Sequence, residues 1–175
     1  MARTTYFAND FEILNYALTL EYLEADFYTK VVRDHAGVLS AAELATFTVI
    51  RDHELAHVAA LRDGIIAAGG TPVKARQSYD YSPIGDINMR AGILKIAGTL
   101  EPTGVGAYDG AAAEIKNKAY LVVAGQIVQV EARHAATIRE IIDPNANPVP
   151  MAYEQTLRRP QVEAAVAPLL GPTQP

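Results

Sequence analysis

The sequence predicts an all-α fold: an antiparallel four-helix bundle of two helical hairpins joined by one long crossover, with an irregular C-terminal tail. Three observations carry this reading. Four long stretches have cap residues and apolar positions at three- and four-residue spacing. Val, Ile and Tyr never fall into strict two-residue alternation between turn signals. Two of the connections are short and one is long.

Asn9 followed by Glu12 reads as a cap with its reciprocal acid, opening a helix through about Asp34. Gly37 marks a turn, and Ser40-x-x-Glu43 is a second capping box whose helix should run to Gly69-Gly70. Asp86 is expected to cap a third helix, which reaches Glu101 before Pro102 and nearby glycines disturb it. A fourth runs from Lys118 to Asp143, where Pro144 stops it. Short turns at Gly37 and at Lys116-Asn117 make the members of each pair antiparallel neighbours. Between the pairs, residues 69–85 carry no helical period. A helix of about 25 residues is about 38 Å long, and about 17 extended residues reach about 56 Å. The linker can therefore cross the whole bundle. Residues 1–143 are expected to form the bundle and residues 144–175 a tail packed on it. Pro148, Pro150, Pro160, Pro168 and Pro172 keep that tail irregular, apart from one short helix between Gln161 and Leu170.

A chain of 175 residues can close one core. The net charge of −5 without a block of like charge disfavours a nucleic-acid surface. The absence of cysteine removes disulfides, iron–sulfur clusters, thiolate zinc sites and cysteine nucleophiles. No apolar run approaches the roughly 18 residues of a membrane span. The segment Met1–Phe7 has no apolar signal region, so a cytoplasmic location is expected for the chain as given, with export open if a signal was removed.

Glutamate is followed three residues later by histidine at Glu54/His57 and at Glu131/His134. That spacing puts each pair on one helix face, and both faces continue with apolar residues: Phe47, Ile50 and Leu61 for the first, Ile127 and Ile138 for the second. The other two helices supply Glu21, among Leu14, Leu18, Ala25 and Tyr28, and Glu101, among Leu94, Ala97, Val105 and Tyr108. Each half thus repeats a glutamate with a tyrosine seven residues on, then Glu-x-x-His on the next helix. Glu21 and Glu54 are equidistant from the Gly37 turn, and Glu101 and Glu131 from residue 116, so each hairpin brings its carboxylates to one level. Buried carboxylates at one point repel one another and need cations. Two divalent ions neutralise four of them, and oxygen-rich sites with one imidazole per ion suit iron or manganese, with zinc a third choice. Glu24 rivals Glu21, since Ala17, Leu20, Phe27 and Val31 flank it, but only Glu21 has the tyrosine and the matching level. His35 and His53 lack the preceding glutamate and are expected outside the site.

The segments Leu14–Ala25, Leu100–Tyr108 and Glu131–Ala136 resemble the ferritin-like superfamily, alongside rubrerythrin, bacterioferritin and manganese catalase. More narrowly, they are similar to the ferritin-like domain, or desiccation-related, group. The resemblance spans residues 9–143. It implies ligand roles for Glu21, Glu54, His57, Glu101, Glu131 and His134.

The function expected is redox chemistry with dioxygen or peroxide at two iron ions per chain, a di-iron oxidase or peroxidase. Tyr28 and Tyr108, about 10 Å along the helix from Glu21 and Glu101, are candidates for an outer redox role. Manganese catalase-like peroxide dismutation at two manganese ions and a non-catalytic, metal-binding stress protein are the alternatives. The first helix is apolar on more than one face, so its surplus face calls for the tail or a partner chain, as in a homodimer or small homo-oligomer.

Overall fold

The computed structural model describes residues 5–173. Helix α1 spans Asp10–Asp34, and its cap Asn9 accepts a hydrogen bond from the Glu12 amide at 3.0 Å. The reciprocal acid reaches one residue further back than expected, with Glu12 accepting from the Ala8 amide at 2.7 Å. Helix α2 spans Ala41–Ala67 and carries the expected Ser40/Glu43 box. Just past its end lies Gly69, whose φ of 80° is a conformation that glycine adopts without steric cost.

Helix α3, Arg90–Ala112, departs from expectation at both ends. Asp86 does not cap it; Asp86 closes the turn just before, accepting from the Asn88 amide through its side chain and from the Met89 amide through its carbonyl. The helix also does not falter at Glu101 but continues through Pro102 to Ala112. One missing backbone N–H is tolerable where neighbours hold the helix on both sides. The glycines that were expected to disturb the helix are contact points instead. Gly98 admits Ile142, and Gly106 and Gly110 admit the backbone of the tail at 155–157, where the Leu157 amide donates to the Gly106 carbonyl at 2.9 Å.

Helix α4, Lys118–Ile142, starts at Asn117, whose side chain accepts from the Ala119 amide, and stops before Pro144. Asp10 accepts from the Lys116 and Asn117 amides, tying the start of α1 to the α3–α4 turn. The tail forms helix α5, Arg159–Val166, and a 3-10 turn to Leu169.

α1 packs along α2 and α3 along α4, and the pairs meet through α1 with α3 and α2 with α4. The crossover is pinned by Tyr81, whose hydroxyl donates to Asp26 at 2.7 Å and lies 3.0 Å from the Leu23 carbonyl oxygen. The last described residues pair with it in antiparallel fashion: Gln77 donates to Pro172, Gly171 to Ser78 and Asp80 to Leu169. Leu20, Phe27 and Val31 of α1 share a cluster with Tyr81, Val162, Val166 and Leu169. The surplus apolar face of α1 is thus covered by the crossover and α5. No helix among the described residues is long and apolar enough to cross a membrane.

A methyl group at Gly110 would lie 1.8 Å from the Leu157 carbonyl oxygen. Glycine to alanine stabilises an open helix by about 1 kcal/mol, so the tail decides the sign here. Gly110→Ala should lower stability by about 1–3 kcal/mol and speed proteolysis of residues 145–158. A melting temperature at or above that of the wild type would show that the tail does not depend on this groove.

Candidate metal centre

Two apolar clusters fill the bundle. One holds Phe27, Tyr28, Phe47, Ile93 and Ile138, the other Leu14, Leu18, Leu61, Ile65, Tyr108 and Ile127. Between them lies a polar layer of Glu21, Glu24, Glu54, His57, Glu101, Glu131 and His134, all buried. The side chains that the sequence pattern singled out converge here. Glu21, Glu54, His57 and Glu131 form one group whose ligand atoms lie within 4.8 Å of one another, and Glu54, Glu101, Glu131 and His134 form a second.

The two groups share Glu54 and Glu131, and each shared carboxylate faces both ways. Nδ1 of His57 lies 3.3 Å from Glu54 Oε2 and 2.9 Å from Glu131 Oε1. Nδ1 of His134 lies 3.0 Å from Glu54 Oε1 and 3.7 Å from Glu131 Oε2. Glu21 approaches His57 at 3.2 Å, and Glu101 approaches His134 at 3.4 Å. The arrangement repeats about a pseudo-twofold axis, as the antiparallel register of the hairpins requires.

Within the layer His57 Nδ1 hydrogen-bonds with Glu21 Oε2 and Glu54 Oε2, but much of the remaining closeness is not hydrogen bonding. Glu54 Oε1, Glu101 Oε2, both oxygens of Glu131 and His134 Nδ1 are buried without a hydrogen-bond partner, although other polar atoms of the layer stand near. Buried polar atoms left unpaired are costly. Lone pairs that face one shared point and not one another fit a cation between them, and the donor set of carboxylate oxygens and imidazole nitrogens fits iron or manganese.

Charge in the metal-free layer is set by competing causes. Burial disfavours imidazolium at His57, but the carboxylates of Glu131, Glu21 and Glu54 outweigh it and push the ring up to about 12. Burial is likewise outweighed at His134, where Glu101, Glu131 and Glu54 raise the ring to about 12. Burial pushes the Glu101 carboxyl up to about 8, against the pull of His134. Burial, reinforced by Glu131, holds Glu21 and Glu24 well above the carboxylate range. Glu54 runs the other way: the imidazoles of His134 and His57 outweigh burial and lower it to about 2.

The tyrosines are closer to the site than their spacing implied. Tyr28 donates to Glu101 and Tyr108 donates to Glu21 Oε1 at 2.5 Å, each reaching the glutamate of the other half. Because α1 and α3 run antiparallel, residue 28 stands beside 101 and residue 108 beside 21. Two further side chains belong to the neighbourhood. His53, expected outside the site, has its Nδ1 2.9 Å from His134 Nε2, with the rings stacked. That contact can fix the ring whose other nitrogen faces the carboxylates. Its position beside Glu54 carried no signal of this, since the partner lies on another helix. Glu24 is only 3% exposed. Its apolar flanks at helical spacing were the legible sign.

The family model for the ferritin-like domain matches residues 9–144, which contain α1–α4 and every residue of the polar layer. The chain belongs to the ferritin-like domain family. A comparison with curated proteins found no match. For a ferritin-like domain, a buried layer of glutamate and histidine at the centre of the bundle is compatible with metal binding.

Without metal, the folded ferritin-like domain should hold protons that the unfolded chain releases. Glu101 keeps its proton up to about pH 8, and His57 and His134 keep theirs up to about 12. The corresponding unfolded groups titrate near 4.5 and 6.5. Bound protons favour the native state while the unfolded state lacks them, so stability falls as pH rises. Glu54 acts oppositely, but only below its unfolded value of 4.5. Calorimetry in chelator should show the melting temperature falling between about pH 5 and pH 9. The stabilisation by added metal should grow over the same range, because binding displaces those protons. A chelated protein whose melting temperature is flat or rising there would contradict this account of the layer.

Proposed function

We propose that the chain is a dinuclear metal protein acting as an oxidoreductase on dioxygen or peroxide. Glu21 and His57 would be the terminal ligands of one ion and Glu101 and His134 those of the other, with Glu54 and Glu131 bridging. The observation that carries this reading is the pair of shared glutamates, each with one oxygen toward either histidine. Four carboxylates balance two divalent cations, which supports an ion pair over a single ion. Two iron ions held there would supply a two-electron reductant for dioxygen or peroxide.

The remaining work falls to the chain's own side chains. The apolar clusters on either side keep bulk water from the layer. Tyr28 and Tyr108 fix the orientation of Glu101 and Glu21 by donating hydrogen bonds to them. Both phenols are pushed well above their usual pKa, by burial first and then by the neighbouring carboxylates. They therefore stay protonated and keep donating. A buried phenol in contact with a ligand is also placed to give up an electron. Manganese suits the same oxygen-rich donors, so peroxide dismutation by a manganese pair is the second reading, and metal sequestration without turnover the third.

Elemental analysis after metal loading should approach about two ions per chain, and the double variant Glu54→Ala with Glu131→Ala should bind none. A single tight ion retained by that variant would overturn the assignment. The ferrous protein should consume dioxygen or peroxide, and Tyr28→Phe or Tyr108→Phe should slow it by roughly 10- to 100-fold. If iron-loaded protein is inert while manganese-loaded protein releases oxygen from peroxide, the second reading stands. Inertness of both favours the third.

A further inference from the structure

The pseudo-twofold repeat of this site is broken on the α1/α3 side. Three residues beyond Glu21 stands Glu24, whereas three residues beyond Glu101 stands Gly104. Tyr28 sits beside Glu101, and Tyr108 beside Glu21. In antiparallel helices, Glu24 and Gly104 therefore face each other halfway between the two terminal glutamates. The contacts agree: the position of a Cβ on Gly104 lies 3.2 and 3.5 Å from the Glu24 carboxylate oxygens and 3.8 Å from Glu131 Oε2. The Glu24 carboxylate thus occupies the room that a side chain at 104 would take, and it looks into the layer toward a shared glutamate.

Glu24 is 3% exposed, and among the described residues no hydrogen bond or ion pair reaches its carboxylate. Neither a charged nor a protonated carboxyl gains anything from such a position by itself. An ionised fifth carboxylate beside four others needs positive charge to meet it.

We propose that Glu24 is a seventh metal ligand. It would join the ligand set from the α1/α3 side, opposite the shared Glu54 and Glu131 of α2 and α4. Gly104 provides the space in which its carboxylate moves onto the ions. The inference rests on the dinuclear centre proposed above. It makes the α1/α3 side unlike a symmetric six-ligand site, because one half contributes a carboxylate where the other contributes a void.

The test uses cobalt(II) as the probe, with Glu24→Gln as the isosteric variant and Glu24→Leu as one that suits an apolar core. In chelator both variants should melt higher than the wild type, since an unpartnered buried carboxylate is gone. With cobalt, both should still take up the ions but bind about tenfold more weakly. Their visible absorption should be more intense, because a lower coordination number strengthens the cobalt bands. A merely structural glutamate would give the first change without the other two, and unaltered affinity and spectrum would overturn the inference while leaving the six-ligand centre intact. Failure of the wild type itself to bind cobalt would remove the centre, and the role of Glu24 with it.

Discussion

Carboxylates and imidazoles buried in an apolar bundle are the constraint on which the rest of this structure depends. Glu21, Glu24, Glu54, Glu101 and Glu131 are taken out of water together, and their mutual repulsion in a poor dielectric is large. Among the described residues no lysine or arginine relieves it. The arginines that pair with acids lie at the periphery, as with Arg90 on Glu43 and Arg159 on Glu12. Of the described basic side chains only His57 and His134 enter the layer, and protons or metal ions must supply the remaining positive charge. Oxygens left without hydrogen bonds show that the layer is arranged for something other than its own internal pairing.

Antiparallel register turns this constraint into a defined geometry. Each hairpin brings a glutamate and a Glu-x-x-His pair to one level, and the packing of α1 on α3 sets the two levels against each other. The same register explains why Tyr28 serves Glu101 and Tyr108 serves Glu21. Each half positions a buried carboxylate of the other, so neither half can shift alone. The tyrosines also form the boundary between the polar layer and the apolar cluster beyond it.

Helix α3 shows how far the surroundings can override local preference. Pro102 and several glycines within a few turns would weaken an isolated helix, yet α3 runs unbroken from Arg90 to Ala112. Its glycines let other parts of the chain come close: Ile142 at Gly98, the tail backbone at Gly106 and Gly110, and the Glu24 carboxylate at Gly104. The tail in turn covers the second apolar face of α1 and pairs with the crossover. Crossover, tail and third helix are therefore mutually dependent.

The sequence alone determined what is local or periodic. Caps at Asn9 and Ser40 and the stop at Pro144 were legible because they act within a turn of the chain, and the helix faces were legible because apolar residues recur at helical spacing. The levels of Glu21, Glu54, Glu101 and Glu131 followed from equal distances to the turns. Whatever depended on contact between distant segments was decided by tertiary structure. Which glutamate each tyrosine meets, the stacking of His53 on His134, the persistence of α3 through Pro102 and the use of its glycines all require a partner from another helix or from the tail. Glu24 stands between these cases. Its flanking apolar residues marked it for burial, but only the packing of α1 against α3 set it beside the void at Gly104, because a helix face is written in one segment and its neighbour in another.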